Sequence, residues 1–258
     1  MLVASSRSRT RMSLREEFDV QGNWLFRRRS FLPVLGVPLL VLIFQHFSYP
    51  YGSQTLEVIW EMFCLWISLL GLAIRVYTTG CTPKRTSGRN TGKGQVADSL
   101  NTTGMYSVVR HPLYLGNFLM ALGPTMFFRL WWVALLYVLG FCVYYERIMF
   151  GEEEFLRQEF GEVYLHWAAE TAAFVPRFKK WRRPDLPFSW RTALKKEYQS
   201  LFAVIAVFFA LEIIGDVVVD GHLDMEWVWC VLFIVGLAFY ILVRVLRKRT
   251  KLLSVEGR

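Results

Sequence analysis

Cysteine is scarce in this chain of 258 residues, and it is scattered. Cys64, Cys81, Cys142 and Cys230 occur singly, without the spacing of a metal site or a disulfide framework. Three of them lie in apolar runs, where the thiol behaves as a small hydrophobe. No Ser-His-Asp or Cys-His arrangement points to nucleophilic catalysis, and no spacing of His, Cys, Asp and Glu points to a metal. A glycine-rich turn after a strand is missing too: Gly92-Lys93-Gly94 alone is too slight for the phosphate-cradling loop of a soluble cofactor-binding fold. Acidic residues are absent from 1–15 and basic residues from 216–226. There is no internal repeat and no separate soluble domain.

The chain is 54% hydrophobic and 16% aromatic, too apolar for an ordinary soluble protein. Its formal charge of +9 gathers in clusters, at Arg7 to Arg15, Arg27 to Arg29, 84–93, 177–196 and 244–251. Basic clusters alternating with apolar runs follow the positive-inside rule and do not form a nucleic-acid surface. The expectation is an all-α, polytopic membrane protein of about six spans. These are 31–48, 56–77, 113–128, 130–150, 201–219 and 227–245. At 1.5 Å per residue, runs of roughly 20 residues cross a hydrocarbon core of about 30 Å.

The turn 216–226 carries Asp216, Asp220, Asp224 and Glu226 and falls opposite every basic cluster. Both termini are therefore expected to be cytoplasmic, in a bacterial inner membrane or the endoplasmic reticulum. Residues 1–15 read as a topology-fixing basic tail in preference to an organellar transit segment, and no secretory signal precedes Phe31. The expected division is 1–30 as a basic cytoplasmic segment, 31–198 as the membrane core, and 199–258 as an added two-span hairpin with a basic tail. Glu57, Glu61 and Glu212 sit towards the outer ends of their spans, where acids face water or a neighbouring helix.

The densest stretch is 104–116, Gly-Met-Tyr-Ser-Val-Val-Arg-His-Pro-Leu-Tyr-Leu-Gly, at the boundary between a polar loop and the third span. Pro112 suits the first turn of a helix, where its missing N–H costs nothing. Arg110, His111 and the free amides of the helix start would then form a site for an anion such as a carboxylate. A capped helix start with a snorkelling arginine accounts for the same residues equally well. A second group follows the fourth span: Glu146-Arg147, then Glu152-Glu153-Glu154, then Leu156, Phe160, Tyr164 and Trp167 on one helical face.

Together, Arg-His-Pro-x-Tyr-x-Gly, an apolar hairpin, and Glu-Glu-x-x-Leu-x-x-x-Phe-Gly-x-x-Tyr-x-x-Trp resemble the integral-membrane isoprenylcysteine carboxyl methyltransferase and phospholipid methyltransferase group. The resemblance is dense from about Val96 to Phe178. It implies a membrane helical fold with S-adenosyl-L-methionine held at its cytoplasmic face, in a pocket built by loops and the helix after the fourth span. Carried over residue by residue, the cofactor-binding positions are Leu100, Asn101, Tyr106, His111, Pro112, Leu113, Tyr114 and Glu152. Arg147, with Arg110, is the candidate for orienting the acceptor, although its spacing is one residue off the group's pattern. No metal is implied.

The implied activity is methylation of an anionic oxygen, a carboxylate or a phosphate, on a lipid or a lipidated substrate such as a prenylcysteine. An ionised acceptor needs no general base, so catalysis would rest on alignment. Tyr106, Tyr114 and Trp167 could face a sulfonium. Two alternatives stay open: N-methylation of a lipid headgroup amine, with Glu146 or Glu153 as base, and an NADPH-dependent sterol-type reductase. The last fits less well, because Pro112-Leu-Tyr114 stands where such enzymes carry Asn-Tyr after Arg-His. The expected partners are the bilayer and a membrane-embedded substrate, with no nucleic acid; oligomeric state is left open.

Overall fold

The structure, a computed structural model, describes residues 13–28, 43, 54–83, 86, 89–91, 94–219, 221 and 226–258. Six α-helices carry it: α1 (Leu14–Arg28), α2 (Gln54–Cys81), α3 (Pro112–Phe127), α4 (Trp131–Glu170), α5 (Trp190–Val219) and α6 (Trp227–Arg249). A small antiparallel hairpin, β1 (Arg89–Thr91) and β2 (Gly94–Val96), interrupts the polar loop between α2 and α3, with Asn90 opposite Gln95. The all-α polytopic architecture is as expected.

Four helices, α2, α4, α5 and α6, are long and apolar enough to cross a membrane. The expected third span, α3, has 16 residues, about 24 Å of helix, and falls short of a full crossing. The expected first span, 31–48, lies outside the described residues except for Ile43, as do Asp220 and Asp224 of the acidic turn. Leu135, Leu136, Leu139 and Val143 on α4 stay exposed, as a lipid-facing side requires.

Two elements differ from expectation. The segment 1–30, read as a basic tail, contains α1, which packs on α4. Gly22 of α1 and Gly151 of α4 face each other there, and a Cβ on Gly22 would collide with the Arg147 carbonyl. The fourth span and the Glu-Glu helix are one 40-residue helix. At roughly 60 Å that is twice a hydrocarbon core, so its second half projects beyond the membrane. Gly161, at φ 51 and ψ −126, breaks the helical geometry near its end, a conformation that glycine adopts at little cost. The expected boundary at 198/199 falls inside α5.

The tightest crossing joins α2 to α3. Cβ atoms placed on Gly71 or Gly116 would come within 2.5 Å of Gly116 O and Arg75 Cγ respectively, and one on Gly123 would overlap Ser68 Oγ and Cys64 O. Small residues let the two backbones touch, which in a membrane supplies the packing that hydrophobicity cannot. Ser68 Oγ donates to Met120 O at 2.9 Å across this seam, and Trp60 Nε1 to Met126 O at 3.0 Å. Gly123→Ala is expected to destabilise by about 1–3 kcal/mol through overpacking. A lower midpoint for unfolding in detergent would register it; an unchanged midpoint would mean the seam yields.

At the end of the bundle where α3 meets α4, Phe127, Phe128, Phe208, Leu211 and Trp229 close a core, with Phe208 and Trp229 stacked 5.8 Å apart. Arg129 makes the turn with φ 58. Its guanidinium lies 3.9 Å from buried Glu61, which also accepts from Trp229 Nε1 at 3.3 Å. Glu61 therefore faces neighbouring helices and not water. Glu212 is buried beside it, and their carboxylates lie within 4.8 Å of that of Glu226.

Candidate functional site

The opposite end of the bundle carries the motifs. Residues 104–111 form a short 3-10 turn, Met105–Ser107, followed by the His111 cap and Pro112 at the first position of α3. The chain after α4 straps this stretch down. Arg110 N donates to Ala172 O at 2.8 Å, His111 N to Ala173 O at 3.3 Å, Arg177 N to Val108 O at 3.0 Å, and Gly104 N to Arg182 O at 3.1 Å. Val108 and Val109 are fully buried beneath it. The amides of Arg110 and His111 are therefore spent on the strap, and those of Tyr114 and Leu115 in the first turn of α3 return to His111 O, both at 3.1 Å. Backbone pairing is worth more to these buried groups than waiting for a ligand.

Side chains supply the polar site instead. The His111 ring is buried and bridges both acids of the pair: its Nε2 is 2.8 Å from Glu153 Oε1, and its Nδ1 is 3.8 Å from Glu152 Oε2. A carboxylate can only accept, so Nε2 carries the proton. Arg110 donates to Glu153 Oε2 at 3.0 Å, and the Tyr114 hydroxyl to Glu152 Oε2 at 2.7 Å. The His111 and Tyr114 rings stack 5.5 Å apart. Glu153 thus ties the loop to α4, while Glu152 lies between Tyr114 and open space.

Burial alone would raise the Glu153 carboxyl. The hydrogen bond and charge of His111, with Arg110 beside it, outweigh that and hold it below the usual carboxylate range. Burial and the neighbouring Glu153 push the Tyr164 phenol up. A depressed carboxyl stabilises the fold above its ordinary value of 4.5, and that contribution disappears as pH falls through the lowered folded value. The stability gap between wild type and Glu153→Gln is therefore expected to be full at neutral pH and to close in acid below 4.5. A gap that persists there would assign the effect to packing.

Two connected spaces open from this cluster. A small pouch between the 97–101 loop and α4 is lined by Leu100, Asn101, Leu156, Tyr164 and Trp167. Trp167 is fixed by its Nε1 bond to Tyr106 O at 3.1 Å. The kink at Gly161 precedes this last stretch of α4, and Leu156 and Tyr164 pack as one face on Ala97 and Leu100. Tyr106, Arg110, His111 and Glu152 line both the pouch and a larger cavity of about 510 Å³. Pro112, Leu113 and Tyr114 border the cavity only. A cavity of that volume suits a nucleoside-sized ligand.

The structure thus brings Leu100, Asn101, Tyr106, Arg110, His111, Pro112, Leu113, Tyr114 and Glu152 to one place. Arg147 is elsewhere. Its guanidinium lies 3.3 Å above the Phe18 ring, on the α1 side of α4, and borders neither space. Sequence reasoning overlooked Arg75, the threonines at the end of α2, and the cations of α5, α6 and 250–258, all of which border the cavity. An arginine inside an apolar run was the legible signal for Arg75. It is held by Glu197 at 2.8 and 3.0 Å and donates to Asn117 Oδ1 at 2.6 Å.

A family model described as phospholipid methyltransferase matches residues 63–163. Over these residues the chain is similar to the phospholipid methyltransferases. The matched region runs from α2 through α3 into the Glu-Glu turns of α4, so it contains the Arg-His-Pro stretch, Glu152 and Glu153. Among the described residues four apolar helices are long enough to cross a bilayer, and the matched region is similar to a family of membrane methyltransferases. The cobalt-zinc-cadmium resistance protein CzcN of Cupriavidus metallidurans is 29% identical over 161 residues, covering 62% of this chain and 69% of that protein. The nickel-cobalt-cadmium resistance protein NccN of Alcaligenes xylosoxydans xylosoxydans is 34% identical over 89 residues, or 34% of this chain and 41% of that protein. No solved structure matches.

Proposed function

We propose that the protein transfers a methyl group from S-adenosyl-L-methionine to an anionic oxygen of a membrane lipid or lipidated substrate. The observation that carries this reading is the wall of Arg110, His111 and Glu152 shared by the pouch and the cavity, with Glu153 bound to Arg110 and His111 on the pouch side. The donor set fits the cofactor: Glu152 for an ammonium or ribose, the Arg110 N–H groups that Glu153 leaves over for a carboxylate, Leu100 and Leu156 for an adenine face, and Tyr106, Tyr114 and Trp167 for a sulfonium, with His111 holding the two glutamates in place. S-adenosyl-L-methionine supplies an electrophilic methyl on sulfur.

The state of Glu153 favours an anionic acceptor over an amine that relies on this residue as its base. Its carboxyl is held ionised by His111 and Arg110, which makes it a weak base for deprotonating an amine. An ionised carboxylate or phosphate needs no such base, and the protein's part is then to align and to exclude water. Methylating such an oxygen removes one negative charge from the membrane surface and weakens its hold on divalent cations. That effect would connect this chemistry with the metal resistance for which CzcN and NccN are named.

Two measurements test the reading: calorimetric binding of S-adenosylhomocysteine to the full chain in detergent, and transfer of radiolabelled methyl into lipid extracts. Micromolar binding is expected, with label in a lipid that carries one negative charge fewer than its acidic precursor. Folded protein that binds no S-adenosylhomocysteine would overturn the reading.

A further inference from the structure

The cavity wall away from the motifs is built by elements beyond the family match. Thr192, Lys195, Lys196 and Glu197 come from α5, Arg247 from α6, and Leu253 and Arg258 from the chain after it. These are docked, not dangling. Ser189 N and the Arg258 guanidinium both donate to Gly80 O, at 3.0 and 2.7 Å, and Lys196 Nζ lies 3.5 Å from Thr79 O. Leu253 is buried with Tyr198 and Val243, which seats 250–258 against α5 and α6.

The charge on this wall is lopsided. Six cations, Arg75, Arg110, Lys195, Lys196, Arg247 and Arg258, border the cavity against two carboxylates, Glu152 and Glu197. Glu197 is taken up by Arg75, and Arg110 by Glu153. Lys195, Arg247 and Arg258 remain, all contributed by α5, α6 and the residues that follow. These cations border the cavity, Lys195 and Arg258 half-buried and Arg247 exposed, and the low-dielectric walls beside them concentrate their field.

We infer that α5, α6 and residues 250–258 form the headgroup subsite for an anionic acceptor, a lipid bearing a phosphate or a carboxylate, opposite the His111–Glu152 wall. This rests on the methyltransferase reading and adds to it what selects the acceptor. Lys195 and Arg247 are the specificity residues. Lys195 makes no hydrogen bond or ion pair among the described residues. Arg247 meets Tyr198 alone among the described residues, through a 3.4 Å bond to its hydroxyl and a guanidinium 5.9 Å from its ring centroid, so both are open to a ligand at little cost to the fold.

The test is equilibrium binding of short-chain phosphatidic acid, a fatty acid and neutral diacylglycerol to the full chain in detergent, with and without S-adenosylhomocysteine. Wild type is compared with Lys195→Gln/Arg247→Gln and with Lys251→Gln, whose lysine is outside the cavity. Each anionic lipid is expected to bind at least about tenfold tighter than diacylglycerol, with that preference lost in the double variant and kept in Lys251→Gln. The tighter of the two anions identifies the headgroup. S-adenosylhomocysteine affinity should stay unchanged in the double variant. Equal binding of all three lipids, or an unaltered preference in the double variant, overturns the subsite. If wild type prefers anionic lipids and binds no S-adenosylhomocysteine, the subsite stands and the methyltransferase reading falls.

Discussion

Glu152→Ala is expected to weaken S-adenosylhomocysteine binding by about a hundredfold or more, with a loss of the same order for His111→Ala. Glu152 accepts the Tyr114 hydroxyl at 2.7 Å and sits 3.8 Å from His111 Nδ1, so its removal strands a buried phenol. Losing that bond and the one charge facing the cofactor's ammonium together costs about 3 kcal/mol. For His111→Ala the loss arises differently: Glu153 keeps Arg110 but loses its 2.8 Å partner, and the loop strapped by 172–177 loses one of its ties to α4. Glu152→Gln separates the two roles of Glu152. A glutamine still accepts from Tyr114 but carries no charge, so stability should return while binding stays weak. If Glu152→Ala lowered only the unfolding midpoint and bound ligand normally, the carboxylate would be a structural brace.

The second large effect concerns the floor of the cavity. Arg75→Leu or Glu197→Leu alone is expected to destabilise by about 3–5 kcal/mol, because each leaves an ion buried without its partner. Glu197 is 3% exposed, and its two oxygens take Arg75 Nε and Nη2 at 2.8 and 3.0 Å. The double replacement is expected to recover most of the loss, since two leucines need no compensation. Unfolding of the set in mixed micelles checks this. Additive losses in the double variant would show that the two residues act independently.

Much of this was readable along the chain. Apolar runs, basic clusters and a pattern of period 3.6 are local properties, and they carried the helical membrane class and the placement of α2, α4, α5 and α6. The Arg-His-Pro-x-Tyr and Glu-Glu motifs were legible for a related reason: fixed short spacing holds residue types together whatever lies between them. Even α1 left a trace, with Phe18, Gly22 and Phe26 four apart, masked by the arginines around them.

Only the tertiary structure decided what those residues meet. Arg147 and Glu152 are close in sequence, but 100° of turn per residue puts Arg147 on Phe18 and Glu152 at the site, and which face of α4 carries α1 is a long-range fact. The strap pairs the amides of Arg110 and His111 with carbonyls of 172 and 173, a long-range match that no local pattern shows. The cations of α5 and α6 looked like topology signals because a lysine at a membrane boundary reads the same in both roles. Their closure over the end of α2, through contacts such as Arg258 to Gly80 spanning 178 positions, depends on packing that no local pattern encodes.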